Sequence, residues 1–127
     1  MNLTQLLEQL KGSSAFMENV TRWQVLPARE ARFAPWPEGV DGRIPAALAR
    51  HGVQKLYTHQ AQAFECARQG QDFVVVTPTA SGKTLCYNLP VLDEILRNPD
   101  ARALYLFPTK ALSQDQVSEL YELITLM

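Results

Sequence analysis

Eight consecutive residues carry the chemistry that can be read most directly from this chain: Thr77-Pro78-Thr79-Ala80-Ser81-Gly82-Lys83-Thr84. They fit the phosphate-loop pattern, with Thr77 standing where the first glycine is usual. Successive backbone N–H groups at a helix N-terminus form an anion nest, and the helix dipole adds partial positive charge where phosphates sit. The donors expected for that nest are Thr79, Ala80, Ser81 and Gly82. Gly82 also lets the backbone approach closely, Lys83 reaches the β- and γ-phosphates, and the hydroxyl of Thr84 ligates Mg²⁺. A bare Gly-Lys-Thr is weak, since it occurs by chance in roughly one chain in twenty of this length at average residue frequencies. The tripeptide must therefore open a helix after a buried strand to carry weight, the alternative being an ordinary helix start with a solvated lysine.

The flanking residues supply that setting. Phe73-Val74-Val75-Val76 is a β-branched run without alternation, which predicts a strand buried on both faces of a parallel sheet. A helix is expected from about Gly82 to Arg97, with Leu85, Leu89, Leu92 and Leu96 on one face and Asn98-Pro99-Asp100 as its stop. Pro90 falls inside it, removes the bond to the carbonyl of Cys86 and should kink it. Ala103-Leu104-Tyr105-Leu106-Phe107 gives a second buried strand, and Val117, Leu120 and Ile124 mark a further amphipathic helix. Strand, helix, strand, helix at this spacing is a right-handed βαβα unit, so the class is α/β.

Upstream, Leu3, Leu6, Leu7 and Leu10 have helical spacing, with Asn2 or Thr4 as a cap and Gly12 as a stop. Pro27, Pro35 and Pro37 then break any helix, and Trp23, Phe33 and Trp36 are expected on extended chain, packed on a neighbouring domain surface. Two helices follow, one after Pro45 that stops near Gly52 and one from Thr58, a plausible N-cap, to about Gln69, with Gly70 as terminator. These boundaries divide the chain into an accessory segment, 1–43, and an α/β segment, 44–127. Two parallel strands make a poor domain, because sheets average about 5–6 strands and both faces of a parallel sheet need covering. The expectation is an N-terminal piece of a longer protein, whose sheet edge pairs with strands outside it.

Composition narrows the classes further. The 127 residues are 46% apolar and 20% charged, which excludes a disordered tail or a coiled-coil rod. Twelve basic against thirteen acidic residues give a net charge of −1, so any phosphate binding must be local. Cys66 and Cys86 stand apart from each other and from any His/Cys cluster, which suggests a reducing compartment. With no signal-peptide pattern and no apolar stretch long enough for a bilayer, the expectation is a cytoplasmic protein with no membrane partner. His51 and His59 have no partner at ligand spacing and are expected on the surface or in packing. Asp93-Glu94 imitates a metal-binding carboxylate pair, yet lies ten residues after Lys83 on the same helix, so a solvated face is expected.

Pro-Thr-Ala-Ser-Gly-Lys-Thr resembles motif I of the DEAD/DEAH-box helicases of superfamily 2, which commonly lack the first glycine. Tyr57-Thr58-His59-Gln60 resembles the Q motif, and Phe107-Pro108-Thr109-Lys110-Ala111-Leu112-Ser113-Gln114-Asp115-Gln116 resembles motif Ia. The stretch from Pro27 to Gln116 is similar to the YprA-like branch of DNA helicases. The resemblance implies an incomplete RecA-like phosphate-loop domain of parallel strands and flanking helices, preceded by a helical and extended segment. It implies ATP with Mg²⁺ as ligand, Gln60 reading adenine, and Thr109 and Lys110 lying on a DNA backbone, with RNA not excluded. A second RecA-like domain would supply an arginine finger, and the YprA-like branch adds a cysteine-rich segment. Ala80 stands where many members have glycine, whereas the proline at position 90 is shared by relatives.

The residues agree with these roles on chemical grounds. The amide of Gln60 can accept from adenine N6 and donate to N7, although Gln62 is two positions away and a helix-capping amide is an alternative. Tyr57 can stack on the base or be an ordinary half-buried tyrosine. Two other functional classes remain, a phosphate-loop kinase and a truncated nonenzymatic nucleotide-binding module. Without a second motor domain the chain is expected to bind ATP and not to turn it over.

Overall fold

Asn2, rather than Thr4, starts the first helix. Its side chain accepts from the Gln5 N–H at 2.9 Å and its own N–H donates to Gln5 Oε1 at 3.0 Å, a reciprocal capping box that satisfies two backbone donors. The computed structural model describes residues 2–28, 30–78 and 81–127 and divides into two units, Met1–Glu30 and Ala31–Met127. In the first unit α1 (Leu3–Gly12) is followed by a single turn, α2 (Ser14–Met17), capped by Ser13. Neither helix buries a residue, so the leucine stripe of α1 stays open. Trp23 lies beneath the Lys11 ammonium, 5.0 Å from the ring centre, a cation–π contact inside its own unit.

The second unit holds β1 (Phe33–Ala34), α3 (Arg43–Arg50), β2 (Leu56–Tyr57), α4 (Thr58–Arg68), α5 (Thr84–Arg97) and α6 (Lys110–Ile124). β1 and β2 pair antiparallel, with Phe33 opposite Tyr57 and Ala34 opposite Leu56. α3 begins two residues before Pro45, because proline in a first turn removes only an N–H that has no helical acceptor. Ile44, Ala47 and Leu48 of α3, Leu56 of β2, Phe64 of α4, Leu89 and Leu92 of α5 and Leu123 of α6 form one buried core. Trp36 packs on this core and Phe33 on Tyr57, so both aromatics make contacts within their own unit. α4 packs chiefly on α5, and this pairing sets the site's frame. α5 keeps its helical course through Pro90 to Arg97.

Two features differ from expectation. Asp93 is not on a solvated face: it is buried, accepts from the Asp41 N–H at 2.8 Å and pairs with Arg97 at 2.9 Å. Arg97 also donates to the Gly39 carbonyl, so this carboxylate fastens the loop before α3 to α5, while Glu94 is exposed as expected. The loop's own ion pair, Arg43 with Asp41, holds the Asp41 carboxyl well below the usual range.

The second difference concerns 73–76 and 103–107. Among the described residues the only sheet is the β1–β2 pair, and neither stretch joins a ladder. Exposure alternates along both. Val74, Val76, Leu104 and Leu106 are 85–89% exposed, whereas Val75, Tyr105 and Phe107 are half-buried. Tyr105 and Phe107 stack with centroids 6.0 Å apart, as neighbours two apart on one face of an extended chain do. One face is therefore covered by helices and the other is bare. A run of apolar residues reports what a strand needs on both faces, and this chain supplies cover for one.

Candidate nucleotide-binding site

The loop begins at Thr77 and ends where α5 begins, at Thr84; Thr79 and Ala80 lie outside the described residues. Lys83 is the N-cap of α5, so the phosphate-binding tripeptide opens a helix as the pattern requires. Gly82 has φ +72°, in the left-handed region that disfavours side chains. A Cβ there would also stand 2.6 Å from Gln60 Nε2, so glycine is required twice over.

Lys83 is half-buried and turned onto its own loop. Its ammonium donates to the carbonyls of Thr77 at 2.9 Å and Pro78 at 2.8 Å, with Thr77 Oγ1 at 3.2 Å and Ser81 Oγ at 3.4 Å. Four oxygens around a group with three hydrogens fix the cation at the mouth of the loop. Thr84, in the first turn of α5, is half-buried beside it. Cys86, one turn on, is buried, and burial pushes its thiol up against the smaller opposing pull of Lys83.

The start of α4 meets the loop from the other side. Gln60 is 2% exposed; its Oε1 accepts from the Tyr57 N–H at 2.8 Å and its Nε2 donates to the Gly82 carbonyl at 2.8 Å. It thus caps α4 and ties it to the loop, leaving one amide hydrogen and one lone pair. Gln62 is exposed and lines a cavity that also holds His59 and Thr77, whereas Gln60 is the amide that hydrogen-bonds the loop, at the Gly82 carbonyl. His59 Nε2 lies 2.9 Å from the Ser81 carbonyl, which brings a residue expected only in surface or packing positions onto the loop. Its sequence signal is only its adjacency to Gln60.

Tyr57 is stacked, with Phe33 at 5.2 Å and 13° and with His59 at 5.6 Å and 9°. A cavity of about 410 Å³ opens beside this stack, lined by Phe33, Val53, Tyr57, Gln60, Gly82 and Leu85. Its apolar and aromatic walls, with Gln54, Lys55 and Gln60 as polar groups, suit a nucleobase. Phe33 lies over twenty residues from Tyr57 in sequence, and no motif points to it.

At α6, Thr109 is the N-cap, its Oγ1 accepting from the Leu112 N–H at 3.2 Å. That hydroxyl keeps its own hydrogen to donate, and Lys110 beside it is exposed. Tyr87 donates to Gln116 at 2.7 Å and Tyr105 to Asn88 at 3.0 Å, joining α5 to α6 and to the 103–107 stretch. Among the described residues no cluster of His, Cys, Asp and Glu could hold a metal, and no helix is long and apolar enough to cross a membrane.

A left-handed glycine, a lysine turned onto loop carbonyls and a helix starting at the next residue together match the phosphate-loop pattern. The family model for DEAD/DEAH box helicases matches residues 57–126, more than half of the chain. The chain belongs to that family. It is 56% identical over 123 residues to the ATP-dependent helicase YprA of Bacillus subtilis, covering 97% of this chain and 16% of that one. It is 32% identical over 115 residues to the ATP-dependent helicase HRQ1 of Saccharomyces cerevisiae, covering 90% of this chain and 10% of the relative. Among solved structures it matches the DUF1998 helicase MrfA bound to DNA and AMPPNP, with a TM-score of 0.85 and 54% identity, over 99% of this chain and 17% of that one. The chain thus spans between a tenth and a sixth of the length of these relatives, and the fold it shares with the solved MrfA helicase is present here as helices with one small sheet among the described residues.

Proposed function

We propose that this chain is the ATP-binding part of an ATP-dependent DNA helicase motor. The observation that carries the reading is the Ser81–Thr84 geometry: consecutive loop carbonyls held by α4, a left-handed Gly82, and Lys83 at the start of α5. In this reading the N–H groups of residues 79–84 cradle the phosphates, and Lys83 moves from the carbonyls of Thr77 and Pro78 to the distal phosphates. The donor set fits a hard cation, since Thr84 offers a hydroxyl at the helix start, where phosphate oxygens complete an oxygen shell. Mg²⁺ held there by the Thr84 hydroxyl would supply charge neutralisation to the phosphates. Gln60, with its remaining hydrogen and lone pair, and the ring of Tyr57 take the adenine in the cavity they line. Relatives named as ATP-dependent helicases support the choice of ATP and weigh against a phosphate-loop kinase or a nonenzymatic module.

Thr109 and Lys110 are assigned to the nucleic-acid backbone, and DNA is chosen because the matched helicase MrfA was solved bound to it. That 73–76 and 103–107 are extended but join no ladder among the described residues supports a parallel sheet completed by further strands, with a second RecA-like domain supplying an arginine finger. The free thiols of Cys66 and Cys86 support a cytoplasmic setting. Residues 1–43 are assigned to an accessory segment, of which 31–43 pack with the motor segment 44–127. Calorimetry with Mg-ATP tests the central claim: Lys83→Ala should weaken binding of ATP more than of AMP, and equal losses for both would remove the role of Lys83.

A further inference from the structure

His59 is the part of the site that the phosphate-loop chemistry leaves without a task. Ser81 O is a carbonyl and can only accept, so the hydrogen of the 2.9 Å contact belongs to His59 Nε2. Its neighbour Gln60 donates to the next carbonyl in the chain, that of Gly82, at 2.8 Å. Two adjacent side chains at the start of α4 thus hold two adjacent carbonyls of the loop.

Peptide planarity turns this into a statement about anions. In a trans peptide the C=O and the following N–H point in opposite directions, and no cis bond occurs among the described residues. Drawing the Ser81 carbonyl toward α4 therefore aims the Gly82 N–H away from α4, and drawing the Gly82 carbonyl does the same for the Lys83 N–H. The Gly82 carbonyl has a second anchor, the Leu85 N–H at 3.2 Å, as part of the first turn leading into α5. The anchor of the Ser81 carbonyl is His59. Gly82, at φ +72°, is the residue whose flanking peptides turn most freely, so this anchor sits where the loop most needs one. The ring itself is held by stacking on Tyr57, which in turn stacks on Phe33.

We propose that His59 is a positioning residue that sets the direction of the Gly82 N–H, and so pre-forms the phosphate nest from outside it. The inference rests on the phosphate-binding reading of the loop. It predicts that loss of the Nε2–H donor weakens phosphate binding even though His59 touches no phosphate, and that any side chain placing an N–H at the same point restores it. Gln does so, because its amide nitrogen falls near the place of imidazole Nε2.

The test is calorimetric titration of the 127-residue chain with inorganic pyrophosphate, which reads the loop alone, and with Mg-ADP. His59→Ala should weaken both about three- to tenfold, the reach of one net hydrogen bond. His59→Gln should bind within about twofold of the parent. An alanine variant that binds as the parent does, or a glutamine variant as weak as alanine, overturns the proposal. Lys83→Ala is the control that separates the two claims: if it binds pyrophosphate as well as the parent, the phosphate-loop reading itself falls. Should His59→Ala fail to fold, the parent still decides the matter by nitrogen NMR of the ring at pH 8. The Nε2–H tautomer is expected, and an Nδ1–H tautomer would overturn the assignment.

Discussion

Replacing Gly82 by alanine isolates the contact on which the site's shape depends. Two costs add. Alanine held at φ +72° is disfavoured by about 1–2 kcal/mol, whatever surrounds it. Its Cβ would also stand 2.6 Å from Gln60 Nε2. Relief requires the amide to leave the Gly82 carbonyl, and a buried amide deprived of a partner costs about 1–3 kcal/mol. The sum is about 2–5 kcal/mol in the parent chain, with the second part absent once Gln60 is alanine. A double-mutant cycle on Gly82→Ala and Gln60→Ala, read by urea unfolding, should therefore return a coupling of about 1–3 kcal/mol, with the double variant less damaged than the sum of the singles. Additive losses would mean that the two groups do not meet, and the account of how α4 shapes the loop would have to be abandoned.

Asp93→Ala should cost about 1–3 kcal/mol in thermal or urea unfolding, because it strips partners from the Asp41 N–H and from Arg97, while pyrophosphate affinity stays unchanged; a loss under 0.5 kcal/mol would return Asp93 to a solvated face. In thiol labelling of the native chain Cys66, half-buried, should react first and Cys86 only on unfolding, since burial both shields that thiol and pushes its ionisation up; equal native rates at pH 8 would contradict its placement. Binding to single-stranded DNA should show a shallow salt dependence, about −0.7 in log K per log salt for each phosphate engaged at Thr109–Lys110; a slope implying many contacts would overturn the confinement of phosphate contacts to that helix start. Phosphate release at saturating Mg-ATP with single-stranded DNA should not exceed that of Lys83→Ala, because an arginine finger is worth about 10³–10⁵ in rate; turnover abolished by Lys83→Ala would show a complete catalytic set within these residues.

The sequence is most legible where chemistry and local geometry coincide. Lys83 and Thr84 at a helix start, Asn2 as a cap and Gly70 as a stop all follow from short-range rules, since capping and left-handed turns are settled within a few residues. What escaped is long-range. His59 meets Ser81 across twenty-two positions and Asp93 meets Asp41 across fifty-two, and neither pairing leaves a trace in local spacing. A carboxylate on a helix looks solvated until another loop arrives to use it. The runs 73–76 and 103–107 were legible as apolar and extended in character, yet their burial depends on partners that no periodicity within them encodes. Phe33 illustrates the same limit, because its task is set by the β1–β2 register that brings it opposite Tyr57.

α4 carries its two loop-holding residues one turn before Phe64, which is completely buried in the core. The loop's geometry and the core's packing therefore belong to one cooperative unit of opening. Any excursion that frees the first turn of α4 releases the Ser81 carbonyl and leaves the Gly82 carbonyl to the Leu85 N–H alone, so the competent loop cannot outlast the helix that holds it. Hydrogen exchange should carry this signature in reverse. Saturating phosphate ligand, at a hundred times its Kd, would add about 2.7 kcal/mol to the protection of amides across α4 and α5, well beyond the residues that the ligand touches.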